Sequence, residues 1–393
     1  MPEILYIDNN QKLLQLCQQY TQNSQTFQPY QLFIDTEFIR QTSYFPKLAL
    51  IQITDGHQLA IIDPLVIDDL DPFYQLCMAS DIIKVFHSGS QDLEIFYYLW
   101  NELPTPIFDT QIAAALLGYG QQIGYANLVK ELLDIDLDKS QTRTNWLNRP
   151  LSSAQISYAA NDVIYLEKIY HRLYQQLIEL DRLHWLDEDF RQLSLINTYQ
   201  IDTAEIWRKV KGYQRIKPAQ VIYLQHLAKM REDLAIKKDR VRKHIISDDD
   251  LIKLARIQPS TQEQLVKCAL PDKQFQALGQ EILETILRAK NTPVGKHPKL
   301  PKKQILSNQQ EAICECLMAL CQLSAKEHNI SSSFLCQRKE IEKLVTHKDH
   351  IQQSNSTLLM GWRNELLGKQ IQAFLSGQAT LMINDGVLGL KHG

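Results

Sequence analysis

Leu32-Phe33-Ile34-Asp35-Thr36-Glu37-Phe38-Ile39 decides the fold, because two acids interrupt an apolar run of strand length. Asp is a poor strand former, and a carboxylate resists burial unless it is paired. Residues i and i+2 of a strand project to one face, so Asp35 and Glu37 point together while Ile34, Thr36 and Phe38 point oppositely. Two like charges a few ångströms apart raise each other's pKa unless a cation lies between them. A hard, oxygen-liganded ion such as Mg²⁺ or Mn²⁺ suits the pair. An exposed edge strand with two solvated acids is the alternative that this segment alone leaves open.

Working outward, Lys47–Thr54 and 58–62 read as strands separated by the turn Asp55-Gly56-His57, and with 32–39 they make an antiparallel meander. A helix over 69–79, an apolar strand Ile82–Phe86, a helix Ser90–Trp100, the short strand Ile107-Phe108 and a helix over 111–117 follow. This alternation predicts an α/β domain with a mixed sheet. A long helix opens near Ser152, with Leu151-Ser152-Ser153-Ala154-Gln155 as its capping region, and runs toward Ile178.

Two further segments carry acids. Val85-Phe86-His87-Ser88-Gly89-Ser90-Gln91-Asp92 turns an apolar strand through small residues into a helix and leaves Asp92 in its first turn. The helix dipole favours an acid there, so a capping role is as open as a chemical one. Tyr158-Ala159-Ala160-Asn161-Asp162 lies within the long helix and puts Tyr158 and Asp162 on one face, one turn apart. The alanine pair would let that face approach a neighbouring backbone closely. A structural hydrogen-bonded pair is the competing reading.

Charge divides the chain. Residues 1–195 hold 12 Lys+Arg against 25 Asp+Glu, and the remainder 30 against 20, although the whole carries only −3. Such asymmetry suits a basic half that attracts a polyanion and an acidic half whose chemistry needs carboxylates. From Ile206 onward strand signals nearly vanish, and Pro293, Gly295, Pro298 and Pro301 break the helical pattern into two modules. The expected units are 1–195, 206–291, a linker 292–304, and 305–388. The 393 residues, 44% hydrophobic and 22% charged, include no run that could span a membrane. Glu3 and Asp8 stand where a signal peptide would carry basic residues, which predicts a cytoplasmic location. Seven scattered cysteines read as reduced thiols, with Cys314 and Cys321 as buried packing residues.

Together the segments resemble a known family. Asp35-Thr36-Glu37-Phe38, His87-Ser88-Gly89-Ser90-Gln91-Asp92-Leu93 and Tyr158-Ala159-Ala160-x-Asp162-Val163-x-Tyr165-Leu166 match, in order and spacing, the three exonuclease motifs of the DEDD superfamily in its tyrosine subgroup. They resemble the ribonuclease D family in particular, as does Phe108-Asp109-Thr110-Gln111. Ile206-Trp207-Arg208-Lys209-Val210-Lys211-Gly212, Arg231-Glu232, the run from Lys237 to Arg242 and Ile246-Ser247-Asp248 resemble an HRDC domain. Gly361-Trp362-Arg363-x-Glu365-Leu366-Leu367-Gly368 is similar to the end of a second, more divergent copy.

The resemblance implies a ribonuclease-H-like α/β exonuclease domain followed by two all-α HRDC-like domains. It implies 3′-to-5′ hydrolysis of RNA, tRNA precursors and other small structured RNAs included, with release of nucleoside 5′-monophosphates and use of two divalent cations, Mg²⁺ or Mn²⁺. In that scheme Asp35 bridges the ions, Glu37 and Asp162 hold the ion of the nucleophile, Asp92 supports the ion of the leaving group, and Tyr158 orients the attacking water. An unperturbed pKa of about 10 makes Tyr158 a weak base. His87 reads as structural and Asp109 as a helix cap. Lys237, Lys238, Arg240 and Arg242 are candidate RNA contacts, and the chain is expected to act as a monomer. A DNA 3′-to-5′ exonuclease and an inactive RNA-binding scaffold are the competing functions.

Overall fold

The computed structural model of the chain describes residues 3–300, 305–347, 356–385 and 387–392. β1 (Ile4–Ile7) and α1 (Asn10–Thr26) precede the acid-bearing strand, β2 (Tyr30–Ile39). β3 (Lys47–Thr54), β4 (Leu59–Ile62), α2 (Asp71–Met78), β5 (Ile82–Phe86), α3 (Ser90–Trp100), β6 (Ile107–Asp109), α4 (Thr110–Leu116), α5 (Tyr125–Leu133) and α6 (Ser153–Glu179) complete the nuclease unit. Its six strands run β1-β4-β3-β2-β5-β6. β3 pairs antiparallel with β2 and β4, whereas the β1–β4, β2–β5 and β5–β6 pairs are parallel.

The sheet is therefore mixed, and the meander falls where the sequence puts it. β2 lies between β3 and β5, which removes the edge-strand alternative for Asp35 and Glu37. Its alternation sorts two cores. Leu32 and Ile34 pack toward α1, α2 and α3, while Phe33 faces α6 and meets Tyr170 edge-on at 5.4 Å. Full burial of each such side chain contributes about 1.5–3 kcal/mol. Sharing the parity of Phe33, Asp35 and Glu37 point to the α6 side. α6 begins with the capping box that Ser152 and Gln155 announce. β1, α1 and α5 are additions to the elements read from the sequence.

After α7 (Asp187–Leu193) and α8 (Ile196–Tyr199), three 3₁₀ turns lead into the first helical module: α9 (Val221–Lys237), α10 (Arg242–Ile245), α11 (Asp248–Ile257), α12 (Gln262–Val266) and α13 (Asp272–Lys290). Of the expected linker, 301–304 lie outside the described residues. The second module holds α14 (Asn308–Glu327), α15 (Ser332–Leu335), α16 (Arg338–Thr346) and a helical run over 361–375. It ends in a hairpin, β7 (Ala379–Asn384) with β8 (Val387–His392), so its C-terminal edge is not all-helical as the sequence reading has it. Cys314 and Cys321 are buried and all the cysteines are free.

The modules repeat one another. α9–α10–α11 recurs as α14–α15–α16, and the residue that turns the first corner is left-handed in both, Asp239 at φ 43 and Asn329 at φ 50. Each corner docks on the nuclease unit through the backbone: the N–H of Val241 donates to Thr42 O at 3.3 Å, and that of Ser331 to Ala115 O at 3.0 Å. The second module adds a stack of Trp362 on Trp185, with centroids 4.9 Å apart and planes 6° from parallel, and an Arg363–Asp189 ion pair.

Candidate active site

β2 and α6 meet at the carboxylates. Ala159 and Ala160 are fully buried, so α6 lies close against β2 and β3 and carries Asp162 and Tyr158 over the strand. Asp35, Glu37 and Asp162 each offer an oxygen to a cluster whose ligand atoms all lie within 4.8 Å of one another. Asp92 stands beside them, buried, and accepts a hydrogen bond from the Thr36 hydroxyl. Thr36 thus ties strand to helix from the face opposite Asp35.

Asp92 is placed by a tight corner. Ser88 is left-handed at φ 58, and a Cβ on Gly89 would sit 2.6 Å from the Cβ of Phe86, so only glycine fits between β5 and α3. Asp109 holds this corner by accepting from Ser88 N at 3.1 Å and Gly89 N at 2.9 Å, while its Oδ1 also caps α4 through Gln111 N and Ile112 N. It is a cap, as expected, and an anchor for the turn before Asp92 as well. His87 has both ring nitrogens engaged, Nδ1 with Thr110 Oγ1 at 3.0 Å and Nε2 with Ile123 O at 3.1 Å. Burial lowers its pKa, which favours the neutral ring.

The electrostatics are those of crowded, desolvated acids. Burial, then the charges of Asp162 and Asp92, hold Asp35 well above the usual carboxylate range. Burial and the charges of Asp35 and Asp92 push Glu37 up to about 9. Burial raises Asp92 to about 7 against the pull of the Thr36 hydroxyl, and Asp162 rises through burial and Glu37. Tyr158 is pushed up to about 12 by burial and the Asp162 charge, so its hydroxyl stays protonated at neutral pH.

Asp35, Glu37, Tyr158 and Asp162 line a cleft of about 400 Å³ whose other wall includes Tyr125, Lys139 and Thr142. The last three go unassigned in the sequence reading. Thr142 Oγ1 lies 3.5 Å from the Tyr158 hydroxyl, and Tyr125 donates to Asn161 O at 2.9 Å. The signal that could have found Lys139 and Thr142 was length, since a long segment without regular structure inside a compact domain is usually functional. Arg149 anchors the end of that segment, donating to both oxygens of buried Asp63 and to Ala49 O.

The residues of the basic run differ in setting. Lys237, Lys238 and Arg240 are exposed. Arg242 is about a third exposed (35%), and its guanidinium makes two bonds, 2.5 and 2.6 Å, to fully buried Glu232.

Comparison with known proteins agrees with this geometry. A 3′-5′ exonuclease family model matches residues 4–178, and an HRDC domain model matches 223–286. The chain is 36% identical to ribonuclease D of Pseudomonas paraeruginosa over 94% of its own length and 97% of the relative's. It is 34% identical to ribonuclease D of Bartonella henselae over 91% of this chain and 88% of that one. The crystal structure of Escherichia coli RNase D, described as an exoribonuclease involved in structured RNA processing, superposes with a TM-score of 0.81 at 30% identity, covering 95% of this chain and 99% of that one. Motifs, fold and near full-length similarity lead to one conclusion: the chain belongs to the ribonuclease D family of 3′-to-5′ exoribonucleases.

Proposed function

We propose that this chain trims structured RNAs, tRNA precursors among them, from a free 3′ hydroxyl, releasing nucleoside 5′-monophosphates one at a time. The observation that carries this is the convergence of Asp35, Glu37 and Asp162 within 4.8 Å, with Tyr158 on the same cleft. The donor set fits hard divalent cations: it offers carboxylate oxygens only, crowded and desolvated. Asp35, Glu37, Asp92 and Asp162 would hold two such ions, Mg²⁺ or Mn²⁺, which when bound supply a water of lowered pKa and charge compensation at the scissile phosphate.

The chain's own contribution is placement. Asp35 feels the charges of both Asp162 and Asp92, and by the family resemblance it would serve both ions, with Glu37 and Asp162 serving the nucleophile's ion and Asp92 that of the leaving group. Tyr158, protonated, donates a hydrogen bond and orients the attacking water rather than removing its proton. One copy of the chain holds every residue required, in keeping with a monomer, and its free thiols suit the cytoplasm.

RNA capture falls to the first module, where residues 206–293 hold 18 Lys+Arg against 10 Asp+Glu. Lys237, Lys238 and Arg240 offer one cationic face. A cleft of about 360 Å³ lined by Lys211, Arg215, Lys253 and Arg256, with Asp249, offers another. Lys253 and Arg256 are held there by backbone carbonyls, those of Cys268 and Arg215, so their charge stays available to phosphate. The test is polarity: a 3′-phosphate on a labelled single strand should slow Mg²⁺-dependent decay strongly and a 5′-phosphate should not. Internal cuts in circular RNA, or equal decay of a matched DNA strand, would overturn the reading.

A further inference from the structure

The turn that leaves the metal-binding strand does not end in the nuclease unit. It runs from Arg40 to Pro46 between β2 and β3, only a few residues beyond Glu37. Tyr44, 3% exposed, and Phe45 belong to the hydrophobic core of the first helical module, where Tyr44 is buried with Trp207, Leu227 and Ile245. The Tyr44 hydroxyl hydrogen-bonds the carboxylate of fully buried Glu232. Arg242 closes the triad, chelating Glu232 and lying over the Tyr44 ring at 5.2 Å. Asp239 Oδ1 accepts the backbone N–H groups of Tyr44 and Phe45 at 2.9 and 3.0 Å.

The same turn grips α3. Arg40 pairs with Glu94 at 2.8 Å, and Phe45 meets Tyr98 edge-on at 4.8 Å, both on the helix whose first turn carries Asp92. One clamp therefore reaches both Glu37, through β2, and Asp92, through α3. The register of β2 against β3 shifts between Glu37 and Phe38, so the strand end beyond Glu37 is held by this clamp as well as by its sheet partner.

We infer that Tyr44, Glu232 and Arg242 are positioning residues by which the first helical module sets the spacing of the metal-holding carboxylates. The inference rests on the reading of Asp35, Glu37, Asp92 and Asp162 as ion ligands. The module is then more than an RNA tether: an ion-paired triad built on buried Tyr44 and Glu232 fixes a geometry that apolar packing alone would leave loose. The second module supplies an internal control, because its Asn329 corner docks on Leu117 and Gly118 beyond α4, which carries none of the four acids.

The experiment is Mn²⁺ binding to the full chain by calorimetry without RNA, together with turnover of a short single strand across Mn²⁺ concentrations. Tyr44→Phe keeps the ring and the Glu232–Arg242 pair and loses one hydroxyl; Glu232→Gln breaks the triad. Each should weaken Mn²⁺ binding, Glu232→Gln by on the order of five- to tenfold, the lower range of coupling between distinct sites. Turnover should recover in excess Mn²⁺ with KM for the short strand unchanged, whereas Asn329→Ala should leave Mn²⁺ affinity at the wild-type value. Wild-type affinity in folded Tyr44→Phe overturns the inference, as does an equal loss in Asn329→Ala, which would make the effect general loosening. If Glu232→Gln fails to fold, Tyr44→Phe decides alone. A wild-type chain that binds no Mn²⁺ overturns the inference and the metal assignment together, which separates the two failures.

Discussion

Removing divalent cations should make stability depend on pH in a direction set by the acid cluster. Glu37 and Asp92 are raised to about 9 and about 7, and Asp35 and Asp162 are raised as well. In the unfolded chain these groups titrate near 4. Between pH 4 and 9 the folded, metal-free protein therefore binds more protons than the unfolded one, so its stability falls as pH rises through that window. Cations that bind only the folded state restore stability by RT ln(1 + [L]/Kd), about 2.7 kcal/mol at a hundredfold excess over Kd. For a nuclease unit of this size that is a rise in Tm of roughly 5–10 °C. The assay is thermal unfolding in chelator and in Mg²⁺ at pH 5, 7 and 8.5. A metal-free Tm that rises from pH 5 to 8.5, or a Mg²⁺ effect as large at pH 5 as at pH 8.5, would refute the reasoning.

Tyr158→Phe should lower kcat by roughly 10²-fold while Mn²⁺ affinity stays near wild type, the pattern of a lost water-orienting group; a matching loss of affinity would make the tyrosine structural. Gly89→Ala forces a Cβ to 2.6 Å from Phe86, so it should destabilise the nuclease unit by about 1–3 kcal/mol and weaken metal binding by moving Asp92; unchanged thermal unfolding speaks against that account of the corner. Neutralising Lys237, Lys238 and Arg240 should weaken tRNA binding and flatten its salt dependence by about 0.7–0.9 log-log slope units per phosphate contact removed. Equal slopes for variant and wild type would leave these three residues without a role in RNA capture.

The acid-bearing strand, the antiparallel meander it opens and the bounds of α3 were legible because local signals set them: Asp55-Gly56 turns the meander and Ser88-Gly89 turns β5 into α3. β1 was not, since four residues gain strand character only by pairing with β4, which is distant in sequence. α1 buries a narrow stripe, Leu13, Leu16, Cys17 and Tyr20, within a glutamine-rich stretch that reads as polar. The pairing of Arg242 with Glu232 was hidden for a related reason. Glu232 is neither three nor four residues away, and only the left-handed corner at Asp239 and the arriving Tyr44 bring the pair together. Asp35, Glu37 and Asp162 were legible because a carboxylate in a buried strand, and another beside small residues on a helix, need a chemical reason to be there.

The central claim is that these carboxylates carry the hydrolysis. Asp35→Asn removes one charge and almost no volume, and single-turnover decay of a labelled strand with a free 3′ hydroxyl in saturating Mg²⁺ measures its effect directly. The variant should retain less than about 1% of the wild-type rate, a loss of at least roughly 2.7 kcal/mol of transition-state stabilisation, with fold and RNA affinity intact. A folded Asp35→Asn protein that trims RNA within about tenfold of the wild-type rate would contradict the account.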